Sequence, residues 1–201
     1  VPRLVDHAER RQSIIESTWQ LIAERGIDNV SMRDIAAAAD YAAPGALSYY
    51  FAGKDQLLLA AYQLVCDRTN ERITQATNGS RGLPALLSLC LEIIPANPLT
   101  VTEARVALAF WQRAQTVEEL REVGRTTLLG WRAAILDLLA QAQFDGQCRP
   151  VTDPEAVADE LLNIMMGLHV TSMLDPDTVT GSRQRHLVHE VIHRLAHDGG
   201  A

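Results

Sequence analysis

At 201 residues, 47% of them hydrophobic, the chain can bury a full core and suits one domain or a small one joined to a medium one. Its formal net charge of −7 argues against a general polyanion binder. No apolar run approaches the ~18 residues of a membrane span and no signal-peptide pattern opens the sequence, so a cytoplasmic protein without a membrane partner is expected. Cys66, Cys90 and Cys148 are odd in number and widely spaced, which speaks for reduced, mostly buried thiols rather than a disulfide framework or zinc finger. Redox sensing is the minor alternative.

In chain order, Ile14, Ile15, Thr18, Trp19, Leu21 and Ile22 recur at helical spacing before Gly26, predicting a first helix over about residues 7–25. Its inner face, Trp19 included, is expected to form the core of a small domain. Arg3, Arg10 and Arg11 stand at or before its start, where a phosphate contact and a solvated surface are equally open readings. Ser31 is a natural N-cap for a second short helix, with Asp34 three residues on in the capping-box position. A tight turn follows, and 44–51 reads as another short helix begun by Pro44, which a first helical position tolerates. Two short helices this close together form a helix-turn-helix pattern.

Gly26, Ser31-Met32-Arg33-Asp34-Ile35-Ala36 and Pro44-Gly45-x-Leu47-Ser48-Tyr49-Tyr50-Phe51-x-Gly53-Lys54-Asp55-x-Leu57-Leu58 together resemble the DNA-binding domain of the TetR family of bacterial repressors. The stretch Ser48-x-Tyr50-Phe51-x-Gly53-Lys54-Asp55 is especially similar to the branch containing the choline-pathway repressor BetI. Residue-level likeness ends near Tyr62. Within it, 37–43 carries one residue more than the usual pattern, and Asp40-Tyr41 replace the glycine of the turn. Asp tolerates left-handed backbone better than most residues, which suits Asp40 to such a turn.

Ile35 and Leu47 are expected to point inward and fix the angle between the two helices. Outward lie Ala43, Gly45, Ala46, Ser48, Tyr49 and Tyr50, a short-sided, hydroxyl-bearing surface with no Arg, Asn or Gln for a bidentate base contact. It can touch thymine methyls and phosphates, with Arg33 and the N-terminal arm helping. Residues 1–55 hold six Arg or Lys against eight Asp or Glu, so affinity for DNA must come from local placement. Gly53-Lys54-Asp55 opens the next helix, whose positive end beside the chain's only lysine is expected to clamp a phosphate. The candidate DNA contacts are Ser31, Arg33, Ala43, Pro44, Gly45, Ser48, Tyr49, Tyr50 and Lys54, in a DNA-binding domain over 1–53.

Helical patterns continue over 54–77, 83–94, 100–115, 117–144, 154–174 (capped by Asp153) and 182–197, with nothing that reads as a strand. The expected fold class is all-α, about nine helices in all, with 54–201 as a second domain. The resemblance implies that this domain binds a small-molecule effector and pairs as a homodimer through the last two long helices. Two recognition helices would then stand about 34–36 Å apart on a palindromic operator. An effector that prefers the spacing unfit for DNA would release it by population shift.

Phe110, Trp111, Trp131, Met165 and His169 are the candidate effector residues, although each alone is more simply read as core or subunit interface. The BetI-like motif suggests a quaternary ammonium effector, for which Phe110, Trp111 and Trp131 offer part of an aromatic cage. Phe110 and Trp111 fall on adjoining rather than identical faces. No cofactor is implied.

One motif points elsewhere. His189-Glu190-Val191-Ile192-His193 matches H-E-x-x-H, in which two histidines bind zinc and the glutamate acts as general base. At ~100° per residue, His186, His189, His193 and His197 share one face of the last helix, opposite Leu187, Val188, Val191, Ile192 and Leu195. A solvated histidine face is the plain reading, a metal- or pH-responsive regulator the next, and a zinc peptidase the most remote. Neither a metal nor an enzyme is expected. A non-DNA-binding interaction module is the other alternative, encouraged by the acidic charge and the altered turn.

Overall fold

The structure is a computed structural model that describes residues 2–151 and 153–196, with side chains from residue 7 onward. Eight α-helices follow in order: α1 (Pro2–Arg25), α2 (Met32–Ala38), α3 (Lys54–Thr77), α4 (Leu83–Ile93), α5 (Pro98–Ala114), α6 (Glu118–Phe144), α7 (Pro154–Leu174) and α8 (Gly181–Leu195). Two short 3-10 segments, Ile27–Asn29 and Pro44–Tyr49, complete the regular structure. Among the described residues the only β-type pairing is an isolated bridge between Cys148 and Ala196, so the fold is all-α as expected. Two compact units emerge, one running to Asp67 together with Thr102–Arg121, the other comprising Arg68–Val101 and the chain from Glu122. No single described helix is long and apolar enough to cross a membrane.

In the first unit, Ile14, Ile15 and Leu21 of α1 meet Ile35, Leu47, Phe51 and Leu57 in one buried cluster. Fully burying a side chain of this size contributes about 1.5–3 kcal/mol, so these few contacts outweigh the weak intrinsic stability of a seven-residue helix such as α2. Ile35 and Leu47 are wholly buried, pointing inward as expected. Both ends of α2 are locally specified. Asp34 N–H donates to Ser31 Oγ at 3.2 Å, and Ser31 N–H donates to Asp34 Oδ2 at 2.8 Å, closing the capping box.

At its other end Tyr41 N–H reaches Ala36 O (2.8 Å) and Asp40 N–H reaches Ala37 O (3.3 Å), the two bonds of a Schellman motif. Asp40 takes the left-handed position at φ 60°, the only described non-glycine residue with positive φ. This is the conformation for which aspartate suits the turn.

The short helix expected over 44–51 is present as a 3-10 helix over Pro44–Tyr49, begun by Pro44. Ala46 N–H donates to Ala43 O at 3.1 Å and Tyr50 N–H to Leu47 O at 2.9 Å, the three-residue spacing of a 3-10 helix, and Phe51 N–H adds a four-residue bond to the same Leu47 O at 2.9 Å.

In the second unit α4, α6, α7 and α8 share a core built from Leu86, Leu89, Ile93, Ile135, Leu139, Leu161, Met165, Val188 and Ile192, among others. Gly82, just before α4, has φ +64°, and a Cβ there would stand 2.0 Å from Gln147 Oε1, which accepts from Leu83 N–H at 2.8 Å. α5 begins at Pro98 rather than near Thr100. Asn97 and Thr100 cap it reciprocally, Thr100 N–H donating to Asn97 Oδ1 (3.1 Å) and Asn97 N–H to Thr100 Oγ1 (3.2 Å). Cys90 and Cys148 are buried and Cys66 half-buried, none of them in a disulfide among the described residues; burial pushes the Cys90 thiol up to about 12.

Candidate nucleic-acid interface

The helix-turn-helix pattern folds so that most of its candidate contacts face outward. Arg33, Ala43, Pro44, Gly45 and Ser48 are exposed, and Tyr49, 75% exposed, projects furthest of the large side chains here. The hydroxyl protons of Ser31 and Ser48 are already committed, to Asp34 and Gly45. These oxygens retain acceptor capacity, so any phosphate bond from either hydroxyl would require it to exchange partners.

Tyr50 differs from the outward expectation. It is half-buried, its ring 6.2 Å from that of Tyr41, 5.2 Å from that of Tyr49 and 4.7 Å from the His7 imidazole. Tyr50 caps the end of the 3-10 segment, its N–H donating to Leu47 O at 2.9 Å, and its ring is covered by those of His7, Tyr41 and Tyr49.

Lys54 begins α3, whose first N–H groups have no intrahelical acceptor and present the positive end of the helix dipole. Gln56 Oε1 accepts from Ala52 N–H at 2.8 Å and holds the chain entering this helix. Beside Lys54, Asp55 receives two bonds from Arg113 of α5, Nε–Oδ1 at 2.8 Å and Nη2–Oδ2 at 2.9 Å. This hydrogen-bonded guanidinium holds the Asp55 carboxyl below the usual carboxylate range. An open groove of about 810 Å³ lies alongside, its walls including Asp28, Lys54, Asp55, Gln112 and Arg113. The side chain of Arg3 lies outside the described residues.

The candidate effector residues fall into two groups. Phe110, Trp111 and Tyr62 belong to the first unit: the Phe110 and Tyr62 rings stack at 3.8 Å and 4°, and Trp111 Nε1–H points to Tyr62 Oη at 3.4 Å. One face of Phe110 is therefore covered by Tyr62, a partner that sequence reading missed. Trp131, Met165 and His169 belong to the second unit. Trp131 Nε1–H donates to Asn70 Oδ1 at 3.2 Å, and His169 Nδ1–H donates to Met165 O at 2.9 Å. Burial pushes the His169 imidazole toward its neutral form, with the carbonyl bond opposing weakly.

The H-E-x-x-H residues lie along the exposed face of α8 while Val188, Val191 and Ile192 enter the core. His186 Nδ1 and Glu190 Oε1 are 4.0 Å apart, and no group of three or more His, Cys, Asp or Glu among the described residues is arranged to hold a metal ion. His197 lies outside the described residues. An exposed face gives a general-base glutamate none of the shielding that a metal-bound water requires.

Comparison with known proteins decides the family. Residues 14–61 match the model described as bacterial regulatory proteins of the tetR family, and residues 84–197 match that of the BetI-type transcriptional repressor C-terminal domain. The chain belongs to the TetR family. Similar proteins include the HTH-type transcriptional regulator PksA of Bacillus subtilis, 30% identical over 94% of this chain and 90% of that protein. The HTH-type transcriptional regulator BetI 2 of Chromohalobacter salexigens is 24% identical over 97% of this chain and 92% of its own. In fold, a transcriptional regulator of Saccharomonospora viridis solved in complex with choline superposes with a TM-score of 0.87 at 23% identity, over 94% of this chain and 98% of that one.

This TetR-family protein is thus a transcriptional regulator of the repressor type, with a DNA-binding N-terminal part and a ligand-binding C-terminal part. Members of this family are transcriptional regulators that bind DNA operators and small-molecule effectors.

Proposed function

We propose that this TetR-family regulator works in the cytoplasm as a homodimer that grips a palindromic operator and lets go when a small molecule binds. The observation that carries the DNA half is the exposed run Ala43, Pro44, Gly45, Ser48 and Tyr49 beside Lys54 at the head of α3. Small side chains let the 3-10 segment approach the major groove closely, while Arg33 and Lys54 supply phosphate charge in an otherwise acidic chain. Ser31, through its backbone cap, and Tyr50, through its ring contacts, support this surface as well as border it. The division of labour is DNA binding by 1–53 and effector binding and pairing by 54–201.

Pairing through α7 and α8 is supported by apolar surface left in water. Val170 and Leu174 of α7 are 44% and 80% exposed, on one face with Gly167, and α8 presents its histidine face outward. For the effector, Phe110, Trp111, Trp131, Met165 and His169 remain the proposed residues. The choline bound by the Saccharomonospora viridis regulator favours a quaternary ammonium compound here. Phe110 and Tyr62 are both buried and stacked on each other, which leaves the half-buried Trp111 as the accessible aromatic partner on that side.

Selection of random duplexes on the purified protein, followed by titration of the winning sequence at several salt concentrations, tests the reading. A palindrome should emerge whose affinity falls as salt rises, and Lys54→Ala should reduce the logarithmic salt slope by about one. No enriched sequence at low salt would sink the operator model. Trp111→Ala and Trp131→Ala should weaken the response to choline while sparing operator binding; equal loss of both functions would assign these tryptophans a structural role.

A further inference from the structure

The first half of α1 carries more of the recognition surface than the helix-turn-helix pattern indicates. His7 and Arg11 stand one turn apart on one helical face. Both lie on aromatic rings of the recognition segment and the residues just after it. The His7 imidazole sits 4.7 Å from the Tyr50 ring in a tilted stack and 5.3 Å from the Tyr49 ring, edge to face. The Arg11 guanidinium lies 4.9 Å over Phe51. Phe51 is buried in the core, so Arg11 braces an anchor that is already fixed. Tyr49 has no such anchor: it is 75% exposed, and its described ring neighbours are His7 and Tyr50.

We infer that His7 is a positioning residue of the DNA-reading surface, one that holds Tyr49 in its binding rotamer by ring contact from α1. The inference rests on the proposed use of Tyr49 against the operator. An exposed tyrosine has two side-chain torsions to lose when it docks, and a ring already held in place loses less. Edge-to-face and offset ring pairs have their own preferred geometry beyond plain burial, so the imidazole sets an angle as well as filling space. Tyr50 completes the device. Its ring touches His7, Tyr49 and Tyr41, so the assembly is tied to α1, to the recognition segment and to the turn after α2.

The chain needs this brace because the recognition segment is a six-residue 3-10 turn that buries only Leu47 of its own residues. Such a turn orients an exposed side chain less firmly than two turns of α-helix do.

The test compares His7→Ala, His7→Phe, Tyr49→Ala and Lys54→Ala on the selected operator and on a random duplex of equal length, with thermal unfolding of each variant. His7→Ala should lower operator affinity about three- to tenfold, the scale of one or two aromatic contacts. Its affinity for the random duplex, set by phosphate charge, and its unfolding midpoint should stay at the wild-type values. His7→Phe, which keeps a flat ring, should restore operator affinity.

A merely structural loss would instead depress both duplexes in the same proportion, and that result overturns the inference. So does wild-type operator affinity in His7→Ala while Tyr49→Ala binds weakly, or failure of His7→Phe to improve on His7→Ala. If Tyr49→Ala and Lys54→Ala both bind as wild type, the docking of the recognition surface is itself wrong, and the role of His7 falls with it.

Discussion

Arg113 and Asp55 form a two-pronged ion pair that joins the end of α5 to the first turn of α3, 58 residues apart in sequence. Asp55 is the neighbour of Lys54, so the pair fixes the corner proposed to meet the DNA backbone. Both side chains are nearly half exposed, 49% for Arg113 and 42% for Asp55. Solvent therefore screens the attraction, and its contribution to folding is small despite the good geometry. Arg113→Ala and Asp55→Asn should each shift the urea midpoint slightly, and a double-mutant cycle should show the two losses to be non-additive. Additive losses would mean that the pair contributes nothing as a pair.

The same contact predicts a pH dependence. The bond from Arg113 holds the folded Asp55 carboxyl below its ordinary value, so the unfolded chain takes up a proton first. The contribution is complete above about pH 3.9 and declines as the pH falls from there toward the lower folded value. Asp34, held down by its bonds from the Ser31 hydroxyl and backbone, titrates in the same direction. Unfolding of wild type and Asp55→Asn, followed from pH 7 to pH 2, should show two curves that converge in acid.

Asp40 offers a substitution with a definite sign. It occupies the left-handed position of the Schellman motif after α2, where glycine would meet no steric cost. Asp40→Gly should therefore be neutral or stabilising by up to about 1 kcal/mol, and Asp40→Val destabilising by roughly 1–2 kcal/mol. Chemical denaturation of the two variants measures both. A destabilised glycine variant would show that the Asp40 side chain makes a favourable contact that outweighs the backbone strain.

Much of this was legible in the sequence because it is local. Ser31 with Asp34, and Asp153 before Pro154, declare their helix starts within a few residues, and the structure places caps at both. Ile35 and Leu47 were expected to point inward within the helix-turn-helix pattern, and both are buried. What stayed hidden depends on distant partners or on small backbone choices. Nothing near Asp55 announces Arg113, and nothing near Phe110 announces that Tyr62 covers its face. The start of α5 was readable in principle from Asn97 and Thr100, but the helical pattern reads from Thr100, although Pro98 suits a first helical position. The recognition segment read as a short helix, but its 3-10 type rests on backbone bonds such as Ala46 N–H to Ala43 O, and the cover on Tyr50 comes from His7 and Tyr41 elsewhere in the chain.

His169 supplies the last prediction, and the sign follows from burial. Its imidazole lies in the core of α7 at 6% exposure, with Nδ1–H donating to Met165 O at 2.9 Å. Desolvation disfavours the charged ring more than the carbonyl bond favours it, so the folded histidine stays neutral to lower pH than an unfolded one. As pH falls below about 6.5 the unfolded chain gains a proton that the folded chain refuses, and stability declines until the folded value is reached. The bond to Met165 O places the proton of the neutral ring on Nδ1. His169→Gln, which keeps an amide donor for the Met165 carbonyl but does not titrate, should flatten the decline between pH 6.5 and 5 while changing stability at pH 8 by only about 1 kcal/mol. Denaturant midpoints at several pH values decide the matter: an unflattened curve would place the titrating group elsewhere. Choline binding retained by this variant would separate the core histidine from the effector.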